Sequence, residues 1–284
     1  MKLIRFGEPG REDPGVLLDG GRRVDASGEF HDYDEGFFAS GGLEALREWV
    51  NAGCPGGLEV PAHERLGPPV ARPSKILCIG KNYREHAMEM GGELPTEPVM
   101  FMKASTAWSG PNDDVIMPPG STKLDYEVEL AVVIGRIASH IDKEEALSHI
   151  AGYSTFCDYS ERSHQLELGG QWTKGKSADS FAPMGPCLTT TDEIPDPQGL
   201  RLWCKVNNEV RQNGWTKDMM FTVRRLVSEA SRFMTLLPGD VIATGTPSGV
   251  AMGMESPRYL EAGDMVECCV EGLGSLSQRV IAST

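Results

Sequence analysis

The run from Asp125 to Gly135, Asp-Tyr-Glu-Val-Glu-Leu-Ala-Val-Val-Ile-Gly, constrains this chain more than any other segment. Its second half is apolar and rich in β-branched residues, so it reads as a buried strand that other elements must cover. Alternate residues of a strand share a face, which points Glu127 and Glu129 one way and Val128 and Leu130 the other. Two carboxylates side by side repel unless a cation lies between them. A solvated strand face accommodates an isolated Glu-x-Glu equally well. The third acid, Asp158, shifts that balance, because it closes the apolar run Tyr153-Ser154-Thr155-Phe156-Cys157 and projects from a strand end in the same way. Three carboxylates form a donor set for a hard ion, Mg²⁺ or Mn²⁺ or Ca²⁺, rather than zinc. Such a centre stays negative with one divalent ion bound, so basic residues should accompany it. Arg162 follows four residues after Asp158, and Lys176 stands further on. Either alone reads as a surface ion pair; together with the acids they read as a substrate clamp.

A second constellation lies in Asn82-Tyr83-Arg84-Glu85-His86-Ala87-Met88-Glu89. His86 and Glu89 are three apart and so adjacent on a helical turn. A carboxylate beside an imidazole fixes its tautomer and raises its basicity, as a water-activating base requires. Surface helices carry His-x-x-Glu commonly, and the flanking glycines add more: Gly80 before, with Gly91 and Gly92 after, would let the segment move as a lid. Gly170-Gln171-Trp172-Thr173-Lys174-Gly175-Lys176-Ser177 matches the phosphate-loop pattern letter for letter. That loop needs a buried strand before it and a helix after it. His164-Gln165-Leu166-Glu167-Leu168 is no apolar strand, and Pro183, Gly185 and Pro186 forbid a useful helix, so the match is accidental. Gly245-Thr246-Pro247-Ser248-Gly249 follows an apolar strand. Its backbone N–H groups and the Thr246 hydroxyl make a seat for a carboxylate, though a simple tight turn reads equally well.

The formal charge of −14 over 284 residues argues against nucleic acid and anionic membranes as partners. An anionic substrate would therefore need a local group of cations at its site. No apolar run approaches the roughly 18 residues of a membrane span, and the opening Met-Lys-Leu-Ile-Arg-Phe-Gly lacks a secretory pattern. The seven cysteines show no zinc spacing and fit free, buried thiols in a reducing, cytoplasmic setting. The first 70 residues read as a small α+β unit, with a hairpin through Gly20-Gly21 and a helix near 41–53. Residues 58–74, proline-rich and polar, read as a linker to a second unit over 71–284. There, strands are expected in KILCIG, VMFMKAS, LDYEVELAVVIG and YSTFCDYS. Helices are expected in KEEALSHIAG and in TVRRLVSEASRFMTL, the latter ending at Pro238-Gly239. PGDVIATGTPSG and AGDMVECCVEGLG each place a Gly-Asp turn before an apolar run, suggestive of paired strands. The whole is α+β, strand-rich, without regular βαβ alternation.

Taken in order, IGKNYREHAMEMG, PVMFMKAST, LDYEVELAVVIG, CDYSERSHQ, WTKGKSADSFAPMGP and PGDVIATGTPSG resemble the fumarylacetoacetate hydrolase family over about Ser74 to Val280. The first 70 residues are similar to the leading domain of its longer members. The resemblance implies a mixed β-roll with flanking helices, usually a homodimer. It implies that Glu127, Glu129 and Asp158 hold Mg²⁺ or Mn²⁺, and that His86 and Glu89 form the water-activating dyad. Arg162, Gln165 and Lys176 match the polar residues that orient a diketo group, and Thr246 the turn that holds a substrate carboxylate. Ser180 stands where some members have threonine. Other members take the histidine's glutamate from just after the GTxSG turn; that position is Val250 here, so Glu89 must complete the dyad, as in the shorter acylpyruvase-like members. The implied reaction is hydrolysis of a carbon–carbon bond in a small 2,4-dioxo acid, an acylpyruvate or a diketo-deoxy sugar acid, as in 2,4-diketo-3-deoxy-L-fuconate hydrolases. Ureidoglycolate lyases, oxaloacetate decarboxylases and isomerases share the metal site and are the alternatives. A non-catalytic metal-binding module and a phosphate-loop nucleotidase are the readings from other classes.

Overall fold

A computed structural model describes residues 1–91 and 93–283. Val128–Ile134 is a strand buried along its whole length. A strand with no solvated face needs neighbours on both edges and cover on both sides, and it reads as a continuous apolar run for that reason. Ile150–Cys157 pairs with it antiparallel on one edge and Val241–Ala243 on the other. The same large sheet runs outward through Ile76–Gly80 to Val99–Lys103 on the second side, and through Ala182–Thr190 on the first. Lys2–Phe6 adds to Ala182–Thr190 with Lys2 opposite Thr189, so the leading residues extend the sheet through Asp13–Leu17, Arg23–Asp25 and Glu59–Val60.

A second sheet orders Glu209–Trp215, Arg201–Val206, Met265–Val270, Gly274–Ala282 and Val115–Met117. Hydrogen bonds tie it to the first: the Val128 N–H donates to Gln212 Oε1 at 2.9 Å, and the Thr155 hydroxyl donates to the Gly274 carbonyl at 2.7 Å. The core between the sheets is strand-built, with helices at the periphery, which is the strand-rich α+β architecture expected.

Most expected elements form where the pattern placed them, including the hairpin at Gly20-Gly21, the helix Gly42–Asn51 and the short helix Arg84–Glu89. Val223–Phe233 is helical because Val223, Leu226, Val227, Ala230 and Ser231 form one buried stripe. It ends five residues before Pro238. Met234 is already extended, and Leu236 exchanges both backbone hydrogen bonds with Ala138.

Three expectations are corrected. KEEALSHIAG makes only one 3₁₀ turn, Ala146–His149, before the chain enters the strand at Ile150. Helix propensity loses there to sheet register: Gly135 N–H donates to the His149 carbonyl at 2.7 Å, and a side chain at Gly152 would collide with the Thr189 backbone. The expected linker is built into the sheet, since Glu59–Val60 pairs with Arg23–Asp25 and Leu66–Gly67 with Lys2–Phe6. The two strands after Gly-Asp turns do not pair with each other, for Val241–Ala243 lies in the large sheet and Met265–Val270 in the second. Among the described residues no helix is long and apolar enough to cross a membrane.

Candidate metal centre and its catalytic cavity

Register assembles the three acids. Val128 lies opposite Cys157, and the Asp158 N–H continues the ladder by donating to the Glu127 carbonyl at 2.9 Å. Glu127 and Asp158 are therefore facing neighbours, and Glu129 follows Glu127 on the same face. One carboxylate oxygen from each lies within 4.8 Å of the others. All three are almost completely buried, at 5%, 2% and 0% exposure.

Their surroundings divide them. Arg162 donates from Nη2 to Glu127 Oε1 at 2.6 Å, from Nε to Asp125 Oδ2 at 2.9 Å and from Nη1 to Gln165 Oε1 at 3.0 Å. Lys176 Nζ donates to Glu127 Oε2 at 2.6 Å and to Asp158 Oδ2 at 2.8 Å. Lys103 Nζ reaches the other oxygen of Asp158 and the Tyr159 carbonyl. Burial raises the Glu127 carboxyl, but the Arg162 and Lys176 charges outweigh it and hold the group well below the usual carboxylate range. Glu129 goes the other way. Burial, then the charges of Asp158 and Glu127, push its carboxyl well above the usual range, opposed chiefly by the Gly245 N–H at 2.8 Å. The same acids raise Arg162 and Lys176 against the effect of their burial.

A hard divalent ion fits this donor set. Three carboxylate oxygens converge, and Glu129 has no cationic side chain donating to it among the described residues. Asp125, Glu127, Glu129 and Asp158 face Arg162, Lys176 and Lys103, so four acids meet three bases. A divalent ion would turn that excess of negative charge into a net positive one, complementary to an anionic substrate.

The dyad sits across the same cavity. His86 Nδ1 lies 2.8 Å from Glu89 Oε1 on the Arg84–Glu89 helix. An ionised carboxylate only accepts, which assigns the proton to Nδ1 and leaves Nε2 as the basic nitrogen. Glu89 also accepts the Gly249 N–H, at 3.0 Å, so it reaches the turn beside Val250 from the other side. The flanking glycines have structural explanations. A side chain at Gly80 would lie 2.6 Å from the Trp172 ring, and Gly91, at φ 70°, ends the helix. Gly92 lies outside the described residues.

A cavity of about 220 Å³ holds His86, Glu127, Glu129, Arg162, Gln165, Lys176 and Thr246 in its wall. Asp158 lies fully buried behind it. Ser180 is not brought there: it lines a separate cleft beside Ile116, where its hydroxyl accepts the Ile116 N–H at 2.9 Å and donates to the Asp179 carbonyl. Thr246 donates its hydroxyl proton to the Val128 carbonyl at 2.8 Å and accepts from Gln212 Nε2 at 2.7 Å. The expected carboxylate seat is thus partly occupied by the protein itself, since Gly245 and Gly249 give their N–H groups to Glu129 and Glu89. The phosphate-loop pattern encloses only the single helical turn Thr173–Lys176. A side chain at Gly175 would lie 2.6 Å from Gln165 Cβ, so packing requires that glycine.

Sequence reasoning missed Asp125, Lys103, Asn82 and Gln212. Asp125 and Lys103 are each a charged residue at the end of a strand segment, which was the available signal. Asn82 pins the His86 loop by donating to the Phe221 and Thr244 carbonyls. Arg162, with every nitrogen engaged, is a positioning residue for Glu127 rather than a free clamp. Replacing it (Arg162→Met) leaves Asp125 and Glu127 buried without their partner. The expected loss of stability is about 3–5 kcal/mol, read by denaturant unfolding; a loss under about 1 kcal/mol would contradict this role.

The family model described as Fumarylacetoacetate (FAA) hydrolase C-terminal matches residues 75–281. A protein of Burkholderia multivorans, named as a hydrolase without a substrate, is 48% identical over 284 residues, covering 100% of both chains. A structure from Mycobacterium abscessus bearing the name of a 2-hydroxyhepta-2,4-diene-1,7-dioate isomerase is 32% identical, with a TM-score of 0.83 and 100% of both chains covered. The maleylpyruvate hydrolase of Sphingobium sp. SYK-6, solved with manganese(II) and pyruvate, is 28% identical, with a TM-score of 0.82 over 100% of both chains. A buried three-carboxylate cluster, a His–Glu pair on its own helix and a match spanning most of the chain converge on one conclusion: this protein belongs to the fumarylacetoacetate hydrolase family.

Proposed function

We propose that the chain is a divalent-metal-dependent hydrolase that cleaves the carbon–carbon bond of an acylpyruvate and releases pyruvate. One observation carries the reading: two acids of the cluster, Glu127 and Glu129, share the wall of one cavity of about 220 Å³ with His86, while Asp158 backs the acids and Glu89 holds the imidazole. At about 30 Å³ per water that is room for roughly seven waters, the scale of a small organic acid. Ile79, Met90, Phe101, Leu166, Trp172 and Met252 supply its apolar wall. An acyl chain suits that wall better than the hydroxyls of a sugar acid, which would go unpaired against it.

Glu127, Glu129 and Asp158 would hold the Mg²⁺ or Mn²⁺, which when bound supplies Lewis-acid polarisation of the oxo-carboxylate end and stabilises enolate charge. His86, held by Glu89, takes a proton from water at Nε2. The resulting hydroxide adds to the distal carbonyl carbon. Lys176 uses two of its three N–H bonds on Glu127 and Asp158, which leaves one for the oxyanion, and the Gln165 amide can add a second donor. The bond to the neighbouring methylene then breaks; its electron pair passes into the pyruvate enolate, and a proton returns to that carbon. The rival on the same residues is proton transfer without water addition, as an isomerase performs. The Mycobacterium abscessus neighbour bears the name of such an isomerase.

The test follows pyruvate release from a panel of acylpyruvates and one diketo-deoxy sugar acid, with Mg²⁺ or Mn²⁺ and with chelator. We expect metal-dependent pyruvate from the acylpyruvates. No pyruvate with either ion, or undiminished release in chelator, overturns the reading; an absorbance change without pyruvate favours the isomerase. Calorimetry with ATP is expected to show no nucleotide binding.

A further inference from the structure

The cavity wall contains one cation that the centre does not use. Lys81 follows the strand Ile76–Gly80 and lines the same cavity. Arg162 and Lys176 are committed to Asp125, Glu127 and Asp158, whereas no ion pair among the described residues involves Lys81. Its backbone is unusual as well. At φ 55° it occupies the left-handed region, where glycine or asparagine is at ease and a long side chain is not. The neighbouring Asn82 is fully buried and locked by three hydrogen bonds, two donated to the Phe221 and Thr244 carbonyls and one accepted from the Phe221 N–H. The loop therefore holds Lys81 rigidly in a strained conformation. Strain maintained by over-determined surroundings is a feature of sites that place a particular side chain.

Position gives that side chain its task. Glu127 and Glu129 are buried at the cavity floor, while Lys81 is half-exposed next to Gly80 and Trp172. Ile79, Phe101 and Trp172 give the same cavity its apolar wall. A substrate anchored at the floor by its oxo-carboxylate end would send its chain along that wall and present its far end to the ammonium.

We propose that Lys81 is a specificity-determining residue that binds a second carboxylate at the far end of the substrate, so that the preferred substrates are dicarboxylic acylpyruvates. This rests on the hydrolase reading above. The ammonium forms a charge-assisted hydrogen bond with the distal carboxylate in a partly dehydrated setting, worth about tenfold or more in affinity.

The experiment compares two acids of equal chain length, 2,4-dioxoheptanedioate with a terminal carboxylate and 2,4-dioxoheptanoate with a terminal methyl. Wild type, Lys81→Met and Lys81→Arg are assayed with Mn²⁺ for kcat and KM. Binding of both acids to each Mn²⁺-loaded protein is measured in parallel by calorimetry. Wild type is expected to favour the diacid about tenfold in kcat/KM. Lys81→Met should erase that ratio through KM, and Lys81→Arg should restore most of it. Equal losses for both acids in Lys81→Met, or a wild type indifferent to the terminal carboxylate, overturn the proposal. If wild type turns over neither acid, the hydrolase reading fails separately. The calorimetric ratio then still decides for or against Lys81.

Discussion

Glu129→Gln is expected to abolish the rise in melting temperature that Mn²⁺ gives the wild type and to lower turnover on the order of a thousandfold. The metal-free variant should be no less stable than metal-free wild type. Glu129 is buried beside Asp158 and Glu127, whose charges and its own dehydration disfavour its ionised form, and the Gly245 N–H offsets them only in part. Glutamine keeps an oxygen for that N–H and removes the charge, so nothing favourable is lost without the ion. With the ion the outcome reverses. A ligand at a hundredfold excess over Kd stabilises the folded state by about 2.7 kcal/mol, about 5–10 °C for a chain of this size. Thermal unfolding with and without Mn²⁺ reads both effects. A variant that still gains the full shift would show that Glu129 does not hold the ion.

His86→Ala should produce the complementary phenotype. The Mn²⁺-induced shift persists, because the imidazole belongs to the Arg84–Glu89 helix and not to the carboxylate cluster, while kcat falls about 10²–10⁴-fold. Glu89→Gln should lose activity in the same direction. A glutamine can donate to Nδ1 and stabilise the tautomer protonated at Nε2, removing the lone pair that must take the proton from water. Full activity of His86→Ala would remove the assigned base. Loss of the Mn²⁺ shift in that variant would show that the two halves of the site are not separable.

Period-two alternation placed Glu127 and Glu129 on one face, and the apolar run behind them required burial; both hold in the folded chain. The three-residue spacing of His86 and Glu89 likewise became a 2.8 Å contact on one helical turn. These are short-range facts, carried by the geometry of a strand or a turn. The roles that changed are long-range. Lys176 finds Glu127 49 residues away, and Arg162 finds Asp125 37 away, so which base serves which acid is invisible in any local window. Arg162 read as a substrate clamp because its donors had no visible partners; the fold supplies three. Ser180 lies four residues from Lys176 yet faces another cleft, since the chain reverses at its positive φ of 68°. The segment KEEALSHIAG has the composition of a helix, but the pairing of Ile150–Cys157 with the buried strand Val128–Ile134 limits it to one 3₁₀ turn.

The sequence by itself determined that carboxylates would stand at the head of a buried strand, that a His–Glu pair would share a turn, and that the chain is a strand-rich member of the fumarylacetoacetate hydrolase family. Only the tertiary structure decided that Glu127 faces Asp158, that Lys103 and Asp125 belong to the same charge cluster, and that Lys81 remains uncommitted at its edge. The division is physical. Local periodicity follows from backbone geometry, whereas the balance of charge in a buried site depends on register between distant strands, because strong electrostatic pairing needs dehydrated groups within a few ångströms of one another.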